Sequence, residues 1–168
     1  MSVAAEGRRV ALREFREEDV AAVDVWHEEA VQVAYGGVPH PGPLHHGRQV
    51  SRPRERGERS GEWTIEEDRA LVVELVEEPE PIGMAEYDVG DGWLTVRFIA
   101  LAKPYRGWGY GSEAVRLLEE EAIRKGMAER FRAEVDARNG LGLYFWLRLG
   151  YRPEAGSAGV LRMVREPR

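Results

Sequence analysis

The sequence predicts an α/β protein of α+β type, with a single mixed, mostly antiparallel sheet and helices on both faces. Three observations point there. Residues 69–101 hold three strand-patterned runs joined by short turns, which implies an antiparallel meander. Residues 112–125 carry apolar side chains at helical spacing. Strand and helix patterns then alternate to the end, so the later strands are expected to join the same sheet. A chain of 168 residues fits one domain, and 1–168 is read as a single unit.

Residues 8–15 read as the first strand. Glu17 to about Gln32 places Val20, Val23, Trp26, Ala30 and Val33 on one helical face, with acidic residues in the opening turn. From Gly36 to Gly61 the pattern collapses among Pro39, Pro41, Pro43 and Pro53. This 36–61 stretch is predicted to be an irregular loop on the substrate side. Arg69–Glu78 is a strand closed by Pro79-Glu80-Pro81, and Ile82–Val89 is the next. Gly90-Asp91-Gly92 then turns the chain into Trp93–Leu101. A helix over Ser112–Lys125 buries Ala114, Leu117, Leu118, Ala122 and Ile123 and stops at Gly126. Phe131–Asp136 is a strand, Gly140 to about Leu149 a short helix, and Val160–Val164 the last strand. The order is βα–βββ–α–β–α–β.

Apolar residues make up 43% of the chain, enough for a core, and there is no cysteine. That excludes disulfides, a catalytic thiol and thiolate-bound zinc. No apolar run approaches the roughly 20 residues that cross a bilayer. The basic residues near the N-terminus follow a short apolar stretch, the reverse of a secretory signal, so a cytoplasmic location and no membrane partner are expected. A net charge of −6 argues against nucleic acid and agrees with an amine substrate. His27, His40, His45 and His46 show no metal-ligand spacing, and no metal is expected.

Chemistry concentrates between Trp93 and Glu121. A β-run ends at Leu101, a loop carries Arg106, Gly107, Gly109 and Gly111, and a helix follows at once. Unpaired N–H groups and partial positive charge at a helix N-terminus suit a phosphate. Glycines let the backbone approach it, and the Arg106 guanidinium can neutralise its charge. A P-loop would need Lys-Ser/Thr where Ser112-Glu113 stands, and a dinucleotide loop would follow its strand directly. A strand–helix connection that binds nothing explains the glycines alone equally well.

Two spaced blocks break that tie. Ile99-Ala100-Leu101 followed by Tyr105-Arg106-Gly107-Trp108-Gly109-Tyr110-Gly111-Ser112-Glu113-Ala114 resembles the acyl-CoA motif of the GNAT (Gcn-related) N-acetyltransferase superfamily. That motif reads Q/R-x-x-G-x-G/A. Val135-Asp136-Ala137-Arg138-Asn139 and Leu149-Gly150-Tyr151 are similar to its second motif. Ala11-Leu12-Arg13 with Asp19 and Glu113-Ala114 are closest in pattern to the ribosomal-protein and small-amine branch.

The resemblance implies a GNAT-like acyl-CoA acyltransferase fold in which two central strands splay around the pantetheine arm. It implies acetyl-CoA as acyl donor, an amine of a small molecule or protein N-terminus as acceptor, direct attack of the amine on the thioester, and room for a homodimer. By position, Ile99 and Leu101 offer backbone groups to the pantetheine. Arg106, Gly107, Trp108, Gly109, Tyr110, Gly111 and Ser112 hold the pyrophosphate. Asn139 contacts the pantetheine side or simply caps its helix.

The pattern departs at catalysis. Relatives place an acidic tyrosine where this chain has Trp146, whose indole N–H is no general acid. Trp146 is then expected to pack with Phe145 against the cofactor arm and the core, leaving water to protonate the thiolate. Tyr144 is the alternative acid, although two residues away is roughly 200° around a helix. Glu86 is the candidate base, on the strand face of Met84 and Asp88; an exposed strand glutamate is the plainer reading. Arg97 stands where some relatives carry a carboxylate, and could instead attract an acidic group of the substrate. A CoA-binding sensor without catalysis is the alternative function, and a nucleotide-binding domain a third.

Overall fold

A computed structural model describes residues 4–22, 25, 26, 29, 69–157 and 159–167. Among these residues eight strands form one sheet: β1 (Ala5–Glu6), β2 (Val10–Glu14), β3 (Ala70–Leu75), β4 (Pro81–Gly90), β5 (Trp93–Leu101), β6 (Arg130–Asp136), β7 (Arg152–Ser157) and β8 (Val160–Arg165). Their spatial order is β1-β2-β3-β4-β5-β6-β8-β7. Every neighbouring pair is antiparallel except β5–β6. That one parallel pair needs a crossover, supplied by helix α1 (Tyr110–Arg124). Helix α2 (Gly140–Arg148) follows β6.

Strand alternation sends two apolar sets to opposite faces. On one face Leu12, Val73, Tyr87, Leu94 and Val96 pack beneath Val115, Leu118 and Ala122 of α1 and Trp146 of α2. On the other, Ala70, Val72, Met84, Phe98 and Ala100 cluster with Phe15 and Trp26. Helical conformation continues there from the 3-10 turn Glu17–Asp19 through 20–22, 25, 26 and 29. Helices therefore flank both faces, as the sequence predicts. The rest of the predicted 17–32 helix, the 36–61 loop and all four histidines lie outside the described residues.

Buried Asp19 ties β2 to that helical segment. It accepts from Arg13 Nη1 and Nη2 at 2.9 and 2.8 Å and from the Arg16 N–H at 2.8 Å. Arg13 Nε donates onward to Glu74 of β3 at 2.7 Å. Burial alone would raise the Asp19 pKa, but the Arg13 and Arg16 hydrogen bonds more than offset it, so the carboxyl sits below its usual range.

Three elements depart from the sequence reading. β1 is too short to leave a pattern. β7 contains Pro153 and Gly156, which hide a strand from propensity; pairing with β8 creates it. α1 starts at Tyr110 rather than Ser112, because Gly109 at φ 85° serves as its N-cap. Its buried face includes Val115, whereas Ile123 is exposed. The Asp91-Gly92 turn has φ of 54° and 78°, both positive as a two-residue hairpin requires. Among the described residues no helix is long and apolar enough to cross a membrane.

Candidate functional site: a cleft where two strands part

β5 and β6 pair in parallel only from Trp93↔Arg130 to Val96↔Ala133. Beyond that point each strand keeps its other neighbour: β5 stays on β4 as far as Gly83↔Leu101, and β6 stays on β8 through Asp136↔Val160. A bulge marks the parting. Glu86 faces Phe98 while Tyr87 faces Val96, so Arg97 is one residue extra on β5. A cleft of about 730 Å³ opens between the strands, with Ile99 and Leu101 on one wall and Glu134, Asp136 and Asn139 on the other. The parted edges present backbone N–H and C=O groups with no strand across from them. An extended ligand bearing amides can satisfy such edges.

The glycine loop forms one end of this cleft. Gly107 and Gly109 have φ of 82° and 85°, open to glycine without strain. The first i→i−4 bond of α1 runs from the Glu113 N–H to the Gly109 carbonyl at 3.0 Å. The N–H groups of Tyr110, Gly111 and Ser112 consequently have no acceptor within the helix. Gly107, Trp108, Gly109, Gly111 and Ser112 all line the cleft. A Cβ on Gly111 would lie 3.3 Å from Phe145 and 3.5 Å from Leu101, so glycine there lets α1 and α2 close over the end of β5.

Two residues of the predicted phosphate cradle also make side-chain contacts of their own. The Tyr110 side chain does not line the cleft; its half-buried ring packs against the core, 4.6 Å from the Arg9 guanidinium and 6.1 Å from Tyr105. Arg106 lines the cleft, yet its guanidinium is committed. Nε donates to the Leu101 carbonyl at 2.9 Å, and Nη2 lies 3.4 Å from Glu29. Its N–H also closes the 3-10 turn onto Lys103 at 3.3 Å. Arg106 therefore fastens the loop to the strand end, and the open N–H groups begin after it.

Arg9, which the sequence reading passed over, secures the loop from outside. Its N–H and Nε both donate to Glu113 at 2.7 Å, and Nη1 donates to the Trp108 carbonyl at 3.0 Å. Burial pushes the Glu113 carboxyl up, but the Arg9 hydrogen bonds outweigh it and leave the group below its usual range.

α2 supplies the facing wall. Asn139 caps it, Oδ1 accepting from the Gly142 N–H at 2.9 Å, so the capping role is present at a residue that also lines the cleft. Trp146 is 4% exposed and packs edge-on to Phe145 and Tyr151 at 5.1 and 4.7 Å. Tyr144 is 60% exposed. Both border the cleft, Trp146 from the core side and Tyr144 from the rim, which the helical-wheel argument alone does not anticipate.

Glu86 is not the exposed strand residue of the plainer expectation. It is 0% exposed, faces Phe98 across the β4–β5 pairing, and stands behind the cleft wall. Nearby, Asp88 forms ion pairs with Arg69 and Arg97, and Arg97 Nη1 reaches Glu134 at 3.0 Å. Glu134 is a carboxylate on the wall itself. Its signal in the sequence was only the alternation of polar residues through Arg132, Glu134 and Asp136. No group of three potential metal ligands occurs among the described residues.

The sequence model of the acetyltransferase (GNAT) family matches residues 41–151. No curated protein matches the chain. Among solved structures, an acetyltransferase (GNAT family) from Bacillus anthracis superposes with TM-score 0.70 at 15% identity, covering 97% of this chain and 98% of that one. PaiA N-acetyltransferase from Thermoplasma acidophilum, solved in complex with coenzyme A, gives TM-score 0.68 at 14% identity over 95% and 100%. The GNAT domain of S. lividans PAT gives 0.61 at 18% identity over 99% and 95%.

Proposed function

The chain belongs to the acetyltransferase (GNAT) family, and on that premise we propose that it moves an acetyl group from acetyl-CoA to a primary amine of a small molecule or protein N-terminus. The observation that carries this reading is the parting of β5 and β6 beside an open helix N-terminus. The fit to acetyl-CoA is chemical at both ends. The N–H groups of Gly107–Ser112 suit a pyrophosphate, and the strand edge at Ile99 and the Leu101 N–H suits the amides of a pantetheine arm, the Leu101 carbonyl already accepting from Arg106. Asn139 and Trp146 complete the wall on the α2 side.

The acceptor nitrogen attacks the thioester carbonyl carbon, a C–N bond forms, the C–S bond breaks, and the thiolate departs with the electron pair. One proton must leave the amine and one must reach the sulfur. A base acts within hydrogen-bond reach or through one water. Glu134, on the wall and paired with Arg97, is the candidate for direct contact in this reading; Glu86, opposite Phe98, would act through an intervening water. Among the described residues Tyr144 is the phenol lining the cleft and is the donor to sulfur in this reading.

Acetyl-CoA should raise the thermal midpoint, since a ligand for the native state stabilises it. Free thiol should then appear in proportion to added amine. Stabilisation without thiol release across a broad amine panel would reassign the protein as a CoA-binding sensor. No stabilisation at saturating acetyl-CoA would overturn both readings.

A further inference from the structure

The sheet face opposite α1 and α2 changes character beyond Phe98. Where β3–β5 present apolar side chains, β5, β6 and β8 present Trp93, Thr95, Arg97, Arg132, Glu134 and Arg162. Alternation fixes this, because Leu94, Phe131, Ala133 and Met163 fill the core on the other side. Glu134 pairs directly with Arg162 in the β6–β8 register, and Thr95 with Arg132 in β5–β6.

Arg132 is held but not neutralised. Nε donates to Thr95 Oγ1 at 2.8 Å, and the guanidinium lies 4.9 Å over the Trp93 ring, whose centroid is 4.3 Å from Arg130 as well. Its terminal amino groups have no partner among the described residues, and the Arg162 side chain makes no hydrogen bond or ion pair among them. Burial and then the neighbouring Arg162 charge push the Arg132 pKa down. Arg97 adds to this, and Glu134 and Glu154 oppose it. A fixed, desolvated guanidinium beside a second unneutralised arginine favours an oxyanion.

We propose that Arg132 and Arg162 form a subsite for an anionic group, carboxylate or phosphate, carried by the acetyl acceptor. The placement gives the acceptor a length. Glu134 and Arg97 line the cleft, and Arg132 precedes Glu134 by two residues along β6, about 7 Å. An acceptor whose amine stands at Glu134 reaches the arginines with an anion a few bonds away. The proposal rests on the acetyl-transfer reading and adds the acceptor's charge to it.

The test fills the CoA site first, so that phosphate cannot bind at the glycine loop. Protein saturated with CoA is titrated with sodium phosphate against sodium chloride at matched ionic strength, following the thermal midpoint. Phosphate should raise the midpoint of the wild type, and Arg132→Gln/Arg162→Gln should lose that rise. Arg162→Gln alone, a change at an exposed strand position, keeps the test valid if the double variant folds poorly, and should reduce the rise. In parallel, kcat/KM is compared for phosphoethanolamine against ethanolamine and for β-alanine against its amide. The anionic member should lead by at least tenfold in one pair, and the variants should bring that ratio towards one; the pair that responds decides between phosphate and carboxylate. Equal phosphate response in wild type and variants, or a ratio the variants do not change, would overturn the subsite. Failure of CoA to stabilise the protein would instead overturn the acetyl-transfer reading.

Discussion

Arg9 and Glu113 are joined by two hydrogen bonds of 2.7 Å, one from the backbone N–H and one from Nε. The pair links the chain just ahead of β2 to the first turn of α1, and Arg9 also holds the Trp108 carbonyl. The folded pKa of Glu113 is depressed, so its stabilisation is fully present above the unfolded value of 4.5 and disappears as pH falls through the lower folded value. Arg9 is 43% exposed, so solvent screening limits the effect to about 1 kcal/mol or less. Denaturant titrations of wild type and Glu113→Gln should differ at pH 7, begin to approach each other as pH falls below 4.5 and converge only below the depressed folded value; a gap that widens on acidification would contradict this.

The glycine loop predicts contrasting effects of single methyl groups. Gly107 has positive φ but open space around its missing Cβ, whereas Gly111 has ordinary φ and Phe145 at 3.3 Å. Gly107→Ala should therefore lose about 1 kcal/mol of stability from backbone strain. Gly111→Ala should instead separate α1 from α2 and weaken acetyl-CoA binding. Calorimetric titration beside thermal melts distinguishes the two; identical profiles would mean the loop conformation is not the one described.

Asp19→Ala should be destabilising, by about 2 kcal/mol, because it removes one of the two carboxylates paired with the largely buried Arg13 and the acceptor of the Arg16 N–H, leaving Glu74 as the remaining partner. Urea unfolding measures it. A loss under about 1 kcal/mol would show that water reaches Arg13 more freely than the packing implies.

Much of this fold was legible because its signals are local. The Trp93–Leu101 strand, the Asp91-Gly92 turn and the Gly140–Arg148 helix follow from alternation, positive-φ residues and helical spacing. β7 was not legible, since Pro153 and Gly156 weaken local strand propensity and only β8 stabilises it. The cradle's glycines were readable for the same local reason. What the sequence could not convey was direction: the Tyr110 ring lies against Arg9, Arg106 bonds Leu101 and Glu29 while lining the cleft, and Glu86 is buried opposite Phe98. Each of those outcomes depends on residues distant in the chain.

Glu134→Gln should lower kcat by about a hundredfold or more if Glu134 takes the amine proton. The loss should ease at high pH, where the free amine forms unaided. Glu86→Gln should leave the pH profile of kcat near that of wild type. The reverse pattern would move the base to Glu86.

Tyr144→Phe removes only the hydroxyl from an exposed rim position, so folding and acetyl-CoA affinity should hold. kcat should fall about tenfold or more if the phenol protonates the departing thiolate. Unchanged kcat would leave water as the donor.

The most direct measurement is a crystal structure of the protein grown with coenzyme A. The pyrophosphate should lie on the N–H groups of Gly107–Ser112, with the pantetheine arm between β5 and β6 alongside Ile99 and Leu101 and its sulfur directed towards Arg97 and Glu134. Coenzyme A bound elsewhere, or β5 and β6 closed on one another with the ligand excluded, would contradict the account.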